Sequence, residues 1–212
     1  MKDFPVFTTQ YGAASLILKE IPYRQESYIR IQDSREPDNL LEECISFCRA
    51  CGAERIYATG DPMLERYPIH TSILEMRGEL NIGEDEIPSM FPVTEATASG
   101  WREIYNRKML CVDNASTLEA RDERKLIESG GAYFIHDSGV PIGIGWLEEN
   151  RILALASLRP GAGELVCKAM QSLIPQQQLT LEVASTNEKA IALYERMGFL
   201  KTAERSRWYR VY

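Results

Sequence analysis

The stretch LTLEVASTNEKAIALYERMGF, Leu179–Phe199, carries two structural periods and a stop signal. Leu179, Leu181 and Val183 alternate with Thr180, Glu182 and Ala184, the pattern of a β-strand with one aliphatic face. Glu182 therefore projects from the opposite face. From Asn187 the apolar spacing becomes helical: Ala190, Tyr194 and Met197 share a stripe, with Ile191 beside it. Ser185 with Glu188 can form a capping box, Asn187 is the alternative cap, and Gly198 supplies the stop. Singly, Glu182 reads as a solvated strand residue and Tyr194 as a core tyrosine. The alternative is that together they are the two halves of an acid–base pair.

Upstream, RILALASL reads as a strand that runs into Arg159-Pro160-Gly161-Ala162-Gly163. A helix follows, ELVCKAMQSLI, with Leu165, Val166, Ala169, Met170 and Leu173 inward and Pro175 at its close. A strand–glycine turn–helix is a physical anion site. Glycines let a phosphate approach the backbone, and the first helical N–H groups have no internal partner. Glu164 at the helix start also suits the dipole, so the helix end can equally be self-satisfied.

The remaining chain places these elements in a sheet. AYFIHDSGVPIGIGWL reads as a hairpin about Asp137-Ser138-Gly139. PVTEAT reads as a strand, and ASGWREIYNRKML and Leu118–Ser129 as helices. TAERSRWYRVY reads as a last strand. Nearer the N-terminus, Ala14–Arg24 and Glu26–Gln32 read as strands. DNLLEECISFCRACGA then forms a helix with Leu41, Cys44, Ile45 and Cys48 on one face, Asp38 or Asn39 as cap and Gly52 as stop. RIYATGD and HTSILEMRGEL follow as strands, and LNIGEDEIPSMFP breaks the pattern as a connector. The order predicts an α/β chain: a smaller α/β unit over residues 1–85, then a domain over 92–212 with a mixed sheet flanked by helices.

Composition narrows the function. The chain has 212 residues, is 44% hydrophobic and carries a net charge of −7. Residues 1–90 hold 9 Lys and Arg against 16 Asp and Glu, so the whole excess lies there. That argues against nucleic acid binding by this part and is compatible with a basic or amine-bearing acceptor, or with ordinary solvation of an acidic surface. No apolar run reaches the roughly 20 residues of a membrane span, and MKDFPVFTTQYG lacks a signal-peptide layout, so a cytoplasmic protein is expected. Five cysteines, an odd number, read as free thiols. Cys44, Cys48 and Cys51 fit a helix face better than a metal site, so no metal is expected.

The turn and the opening stretch together resemble the GNAT N-acetyltransferase superfamily. Asn187, Ala190, Leu193, Tyr194, Gly198 and Phe199 match the family pattern N-x-x-A-x-x-L-Y-x-x-x-G-F. Leu181-Glu182-Val183 looks like the strand of the ribosomal-protein alanine N-acetyltransferases. The resemblance covers 92–212 and implies a GNAT-like fold; residues 1–85 then look like a degenerate GNAT-like half walling the acceptor side. One departure is Leu158, where the family carries Arg or Gln, with Arg159 one place along; Pro160 offers no N–H.

The resemblance implies acetyl-CoA as co-substrate, held in a splay of the sheet. Backbone groups of Leu153, Ala154 and Leu155 would hold the pantetheine, and Arg159, Gly161, Ala162, Gly163, Glu164 and Asn187 would serve the cofactor. Glu182 would take the amine's proton and Tyr194 would protonate the leaving thiolate, with Glu148 and Glu149 as reserve bases. The implied activity is N-acetyl transfer to a primary amine of a small molecule or peptide, and a homodimer is compatible with it. The alternative is a catalytically silent acyl-CoA-binding or interaction module.

Overall fold

The structure is a computed structural model that describes residues 5–79, 87–174 and 178–212. The acids Glu84, Asp85 and Glu86 of the expected connector, and Pro175, lie outside the described residues. Two compact units form: Met1–Ile73 with Glu204–Tyr212, and Leu74–Ala203.

The first unit contains β1 (Val6–Thr9), β2 (Gly12–Ile17), α1 (Ile21–Arg24), β3 (Glu26–Ser34), α2 (Pro37–Ala50) and β4 (Arg55–Thr59). Two further strands, β5 (Ile69–Gly78) and β11 (Leu200–Arg210), each pass from one unit into the other along the chain. Strand order in this unit is β1-β2-β3-β4-β11-β5. β3 and β4 run parallel; β1 with β2, β2 with β3 and β4 with β11 are antiparallel. Leu40, Leu41, Cys44 and Cys48 of α2 are buried with Leu16, Ile29, Ile31 and Ile56, as the helical spacing requires.

Two details differ from the expectation. Ala14–Arg24 is not one strand: Pro22 opens α1, and Gln25 ends it in a left-handed conformation at φ 57°. α2 is capped at Glu36 rather than Asp38 or Asn39, because Pro37 takes the first helical position, where its missing N–H costs nothing.

The second unit contains β6 (Ser89–Pro92), α3 (Ala98–Met109), α4 (Glu123–Ser129), β7 (Ala132–Asp137), β8 (Val140–Glu148), β9 (Arg151–Ser157), α5 (Gly163–Ser172), β10 (Leu179–Ala184) and α6 (Glu188–Arg196). Its strand order is β11-β5-β10-β9-β8-β7-β6. The strand expected at Pro92–Thr97 lies earlier, at β6. Thr97 is the reason: its Oγ1 accepts the Thr94 N–H at 2.9 Å and folds the chain into α3. The β7–β8 hairpin closes on Ser138 and Gly139, both at positive φ (49° and 79°), the backbone that a tight antiparallel turn requires.

Helices flank this sheet on both faces. Trp101 and Tyr105 of α3 and Leu126 of α4 pack with Ile144, Trp146, Ala154 and Ala156. On the other face, α5 and α6 pack Val166, Cys167, Met170, Ile191 and Tyr194 with Leu179, Leu181 and Val183. α5 sits close because β8 presents glycines to it. A Cβ at Gly143 would lie 2.3 Å from Val166 Cγ2, and one at Gly145 2.2 Å from Met170 Sδ.

Burial sets thiol chemistry. Cys44, Cys48 and Cys167 are buried and Cys51 and Cys111 exposed, all unpaired. Burial pushes the Cys44 and Cys167 thiols up to about 12 and raises Cys48 too. Thiolate is the reactive form. Alkylation of the native protein at pH 8 followed by peptide mass mapping should modify Cys51 and Cys111 only, with the other three reacting after denaturation.

Candidate functional site

The site begins where a parallel ladder stops. β9 and β10 pair at Arg151–Thr180 and Ile152–Leu181, and no register pair follows although both strands continue. The cause lies on the other side of β9. Against β8, Trp146 pairs with Ala154 and Leu147 with Ile152, so Leu153 is an extra residue, a β-bulge. Its effect shows in the packing: Leu153 and the next residue, Ala154, both pack against the α3–α4 core, while Ile152 and Leu155 pack on the α5–α6 side. A bulge increases local twist and ends pairing. Past Leu153, β9 and β10 share no register pair, which leaves an opening in the ladder between two parallel strands.

The glycine bend follows β9. Gly161 has φ 81°, a conformation that side chains rarely adopt, and turns the chain into α5. Ala162 is the N-cap and supplies no side-chain acceptor to the first N–H groups. Arg159, Pro160 and Gly161 are exposed at the bend. A Cβ at Gly163 would come within 2.7 Å of Leu193 Cδ2, so this glycine also lets α5 and α6 approach. Glu164 in the first turn is exposed and paired with Lys168 at 3.1 Å. Its negative charge is thereby offset rather than left facing an anion. An unblocked helix start, an outward-turned bend and an opened strand pair fit a long thioester with a diphosphate at one end.

Of the two residues in the opening stretch, Tyr194 lies with the bend. It is buried in one cluster with Ala162, Val166 and Cys167, its ring 5.7 Å from that of Phe199. Burial first, and the neighbouring Cys167 second, hold its phenol well above the usual tyrosine range, so it is neutral and protonated at working pH. Glu182 is on the opposite face of the sheet from Leu181, Val183 and Tyr194. Its Oε1 accepts from Arg151 Nη2 at 2.5 Å, with both side chains partly open to solvent (39% and 49%). The fold thus does not bring Glu182 and Tyr194 into contact in one cluster; they occupy the two faces beside the same opening.

Asn187 acts on its own backbone: its Oδ1 accepts the Ala190 N–H at 3.3 Å and caps α6, resolving the choice with Ser185. Glu148 pairs with Lys125 at 3.1 Å, and Glu149 is a turn residue with φ 53°. A shallow groove of about 880 Å³ lies in the first unit, lined by residues including Phe7, Tyr11, Glu43 and Phe47 of the β1–β2 hairpin and α2.

One group was missed in the sequence. Glu75 of β5 is buried, and its Oε1 accepts from Arg77 Nε at 2.9 Å and from Thr202 Oγ1 at 2.9 Å. An acidic residue within HTSILEMRGEL looks like the polar face of a strand. That β5 neighbours β10 is set by the sheet order, which no local pattern encodes.

No family model matches the chain, and no curated protein matches it. Solved structures do. A functionally unknown conserved protein from Staphylococcus epidermidis is 9% identical at a TM-score of 0.60, over 99% of this chain and 94% of that one. A GCN5-related N-acetyltransferase from Sphaerobacter thermophilus is 12% identical at 0.56, over 93% of this chain and 75% of that one. A tandem GNAT protein from the clavulanic acid biosynthesis pathway is 13% identical at 0.53, over 94% of this chain and 78% of that one. At such identities the likeness speaks of architecture: the chain has the GNAT fold.

Proposed function

We propose that the second unit is an acetyl-CoA-dependent N-acetyltransferase acting on a primary amine. The observation that carries this reading is the two-pair β9–β10 ladder that ends at the Leu153 bulge. The diphosphate would rest at the Arg159–Gly163 bend and the start of α5. Acetyl-CoA supplies an activated acyl group and a thiol leaving group; the chain supplies position and proton control.

Each residue then has a physical task. Backbone groups of Leu153–Leu155, beyond the last β9–β10 register pair, would hold the pantetheine and polarise the acyl oxygen, a contribution of about 3 kcal/mol per donor. Tyr194, kept protonated by its burial, has a proton to give to the leaving thiolate and is unsuited to accept one, although the same burial makes it a weaker acid. Glu182, on the other face, would receive the amine's proton directly or through water. An exposed ion pair of its kind contributes only about 0–1 kcal/mol, so an arriving ammonium can compete with Arg151.

The first unit reads as a GNAT-like half without a working slot. Its parallel pair β3–β4 stays closed over five register pairs, Glu26–Arg55 to Arg30–Thr59. β3 has its own bulge, at Gln32, but only beyond that ladder. Gly60 then seals the end: at φ 102°, a Cβ there would sit 2.3 Å from the Ile31 carbonyl oxygen. Gly60→Ala should lower stability by roughly 2–4 kcal/mol in denaturant titration, from strain at positive φ plus overpacking.

A second reading, a silent acyl-CoA-binding module, is favoured by Pro160 and by the Arg151–Glu182 pair. Calorimetry should give one acetyl-CoA per chain; two would contradict the closed first unit, and none would remove both readings. Thiol release should then rise above background with at least one member of a primary-amine panel. Tyr194→Phe should reduce kcat by about 10²-fold with little change in acetyl-CoA affinity. Binding without turnover on any amine supports the silent module, and an unimpaired Tyr194→Phe removes the tyrosine's role.

A further inference from the structure

The face of β5 that bears Glu75 has no place yet in this chemistry. Met76 is fully buried and Leu74 packs beside it on the α5–α6 side, and Gly78 abuts the Phe199 ring on that side. Strand alternation puts Glu75 and Arg77 on the opposite face, the one that carries Glu182 on the neighbouring β10. The α5–α6 side is filled by the core, whereas the charged side chains of β5 and β10 stand on this opposite face.

On it stands a built arrangement. The Glu75 side chain is 6% exposed and the Arg77 side chain 45%. Both Nε (2.9 Å) and Nη2 (2.8 Å) of Arg77 reach the same Glu75 oxygen, and Thr202 Oγ1 donates to that oxygen as well. A buried carboxylate is costly unless it is paired and hydrogen-bonded. Here it fixes the plane of a guanidinium that is otherwise open to solvent. Orientation by a buried partner is what a recognition arginine needs, because it removes the rotamer freedom that binding would otherwise have to remove.

We infer that Arg77, held by Glu75, reads a carboxylate on the acceptor, so the acceptor is a small amine that also carries a carboxylate. This rests on the acetyltransferase reading above. Arg77 has one positive charge and shares it with Glu75, which suits a monoanion better than a phosphate dianion. Arg77 lies on the strand next to β10 and on the face that carries Glu182. The ammonium end would face Glu182 and the opening. Arg77 is here a specificity residue and Glu75 a positioning residue.

The test uses the full chain with acetyl-CoA and matched acceptors: free α- and ω-amino acids, and the same molecules as methyl esters. Wild type should favour the free acids at least tenfold in kcat/KM. Arg77→Gln should raise the acceptor KM at least tenfold, erase that preference and leave the acetyl-CoA KM within twofold; Arg77→Lys should restore part of the preference. Glu75→Gln should weaken the preference in the same direction. Arg77→Gln leaves the buried Glu75 carboxylate without its ion pair and should lower the unfolding midpoint, so folding is verified at the assay temperature, and Arg77→Lys, which keeps the charge, carries the test where Arg77→Gln is unfolded. A chain that binds acetyl-CoA but acetylates no free amino acid, prefers the esters, or keeps its preference in Arg77→Gln overturns this inference alone. A chain that binds no acetyl-CoA by calorimetry overturns the acetyltransferase reading beneath it.

Discussion

Parallel strands stay together because each residue on one contributes to an even ladder with the next. A single extra residue is enough to break it. Leu153 in β9 is that residue: it is unmatched on the β8 side, it shifts the alternation of faces by one place, and the β10 ladder ends beside it. The remaining features of the second unit are arranged around that interruption. α5 is drawn onto the sheet by the glycines of β8, which brings its unblocked start near the end of β9. α6 fills the same face with Tyr194. The opposite face keeps charges beside β10 and β5.

The first unit shows how little separates a closed pair from an open one. Its β2–β3 hairpin, parallel β4 and intervening α2 follow the same order as the hairpin, helix and parallel strand of the second unit. Its bulge falls at Gln32, after the parallel ladder has been made, and β3 ends two residues later. Displacement of one extra residue along a strand thus changes a wedge into a sealed seam. Of the acidic excess of residues 1–90, the larger share falls in residues 74–90, with one Arg against five Asp and Glu, and three of those acids, Glu84, Asp85 and Glu86, lie outside the described residues.

Much of the fold was legible because it is locally encoded. Asp137-Ser138-Gly139 specifies its own turn, Leu179–Ala184 its own faces, and Gly198 its own helix stop. The placement of Glu182 opposite the leucines followed from alternation alone. Boundaries failed where one residue overrode a pattern: Pro22 made a helix of an expected strand end, and Thr97 drew the chain out of strand geometry before α3. The opening itself was legible only through family resemblance. Nothing in RILALASL marks Leu153 as unmatched, since a bulge is a relation between two strands. Arg77 and Glu75 were invisible for a similar reason: their meaning comes from β5 lying next to β10, and sheet order is a long-range fact. Tyr194 was visible as a residue, but its separation from Glu182 by the thickness of the sheet was not.

The central claim is that the edge of β9 past Leu153 is the seat of an acyl thioester. Backbone hydrogen exchange of the peptide spanning 151–158, with and without saturating acetyl-CoA, addresses it most directly. Exchange there should slow markedly on addition of acetyl-CoA, together with the segment that begins α5, and the β3–β4 segments of the first unit should be unaffected. Unchanged exchange across 151–158 in a chain that demonstrably binds acetyl-CoA, or protection confined to the first unit, would contradict it.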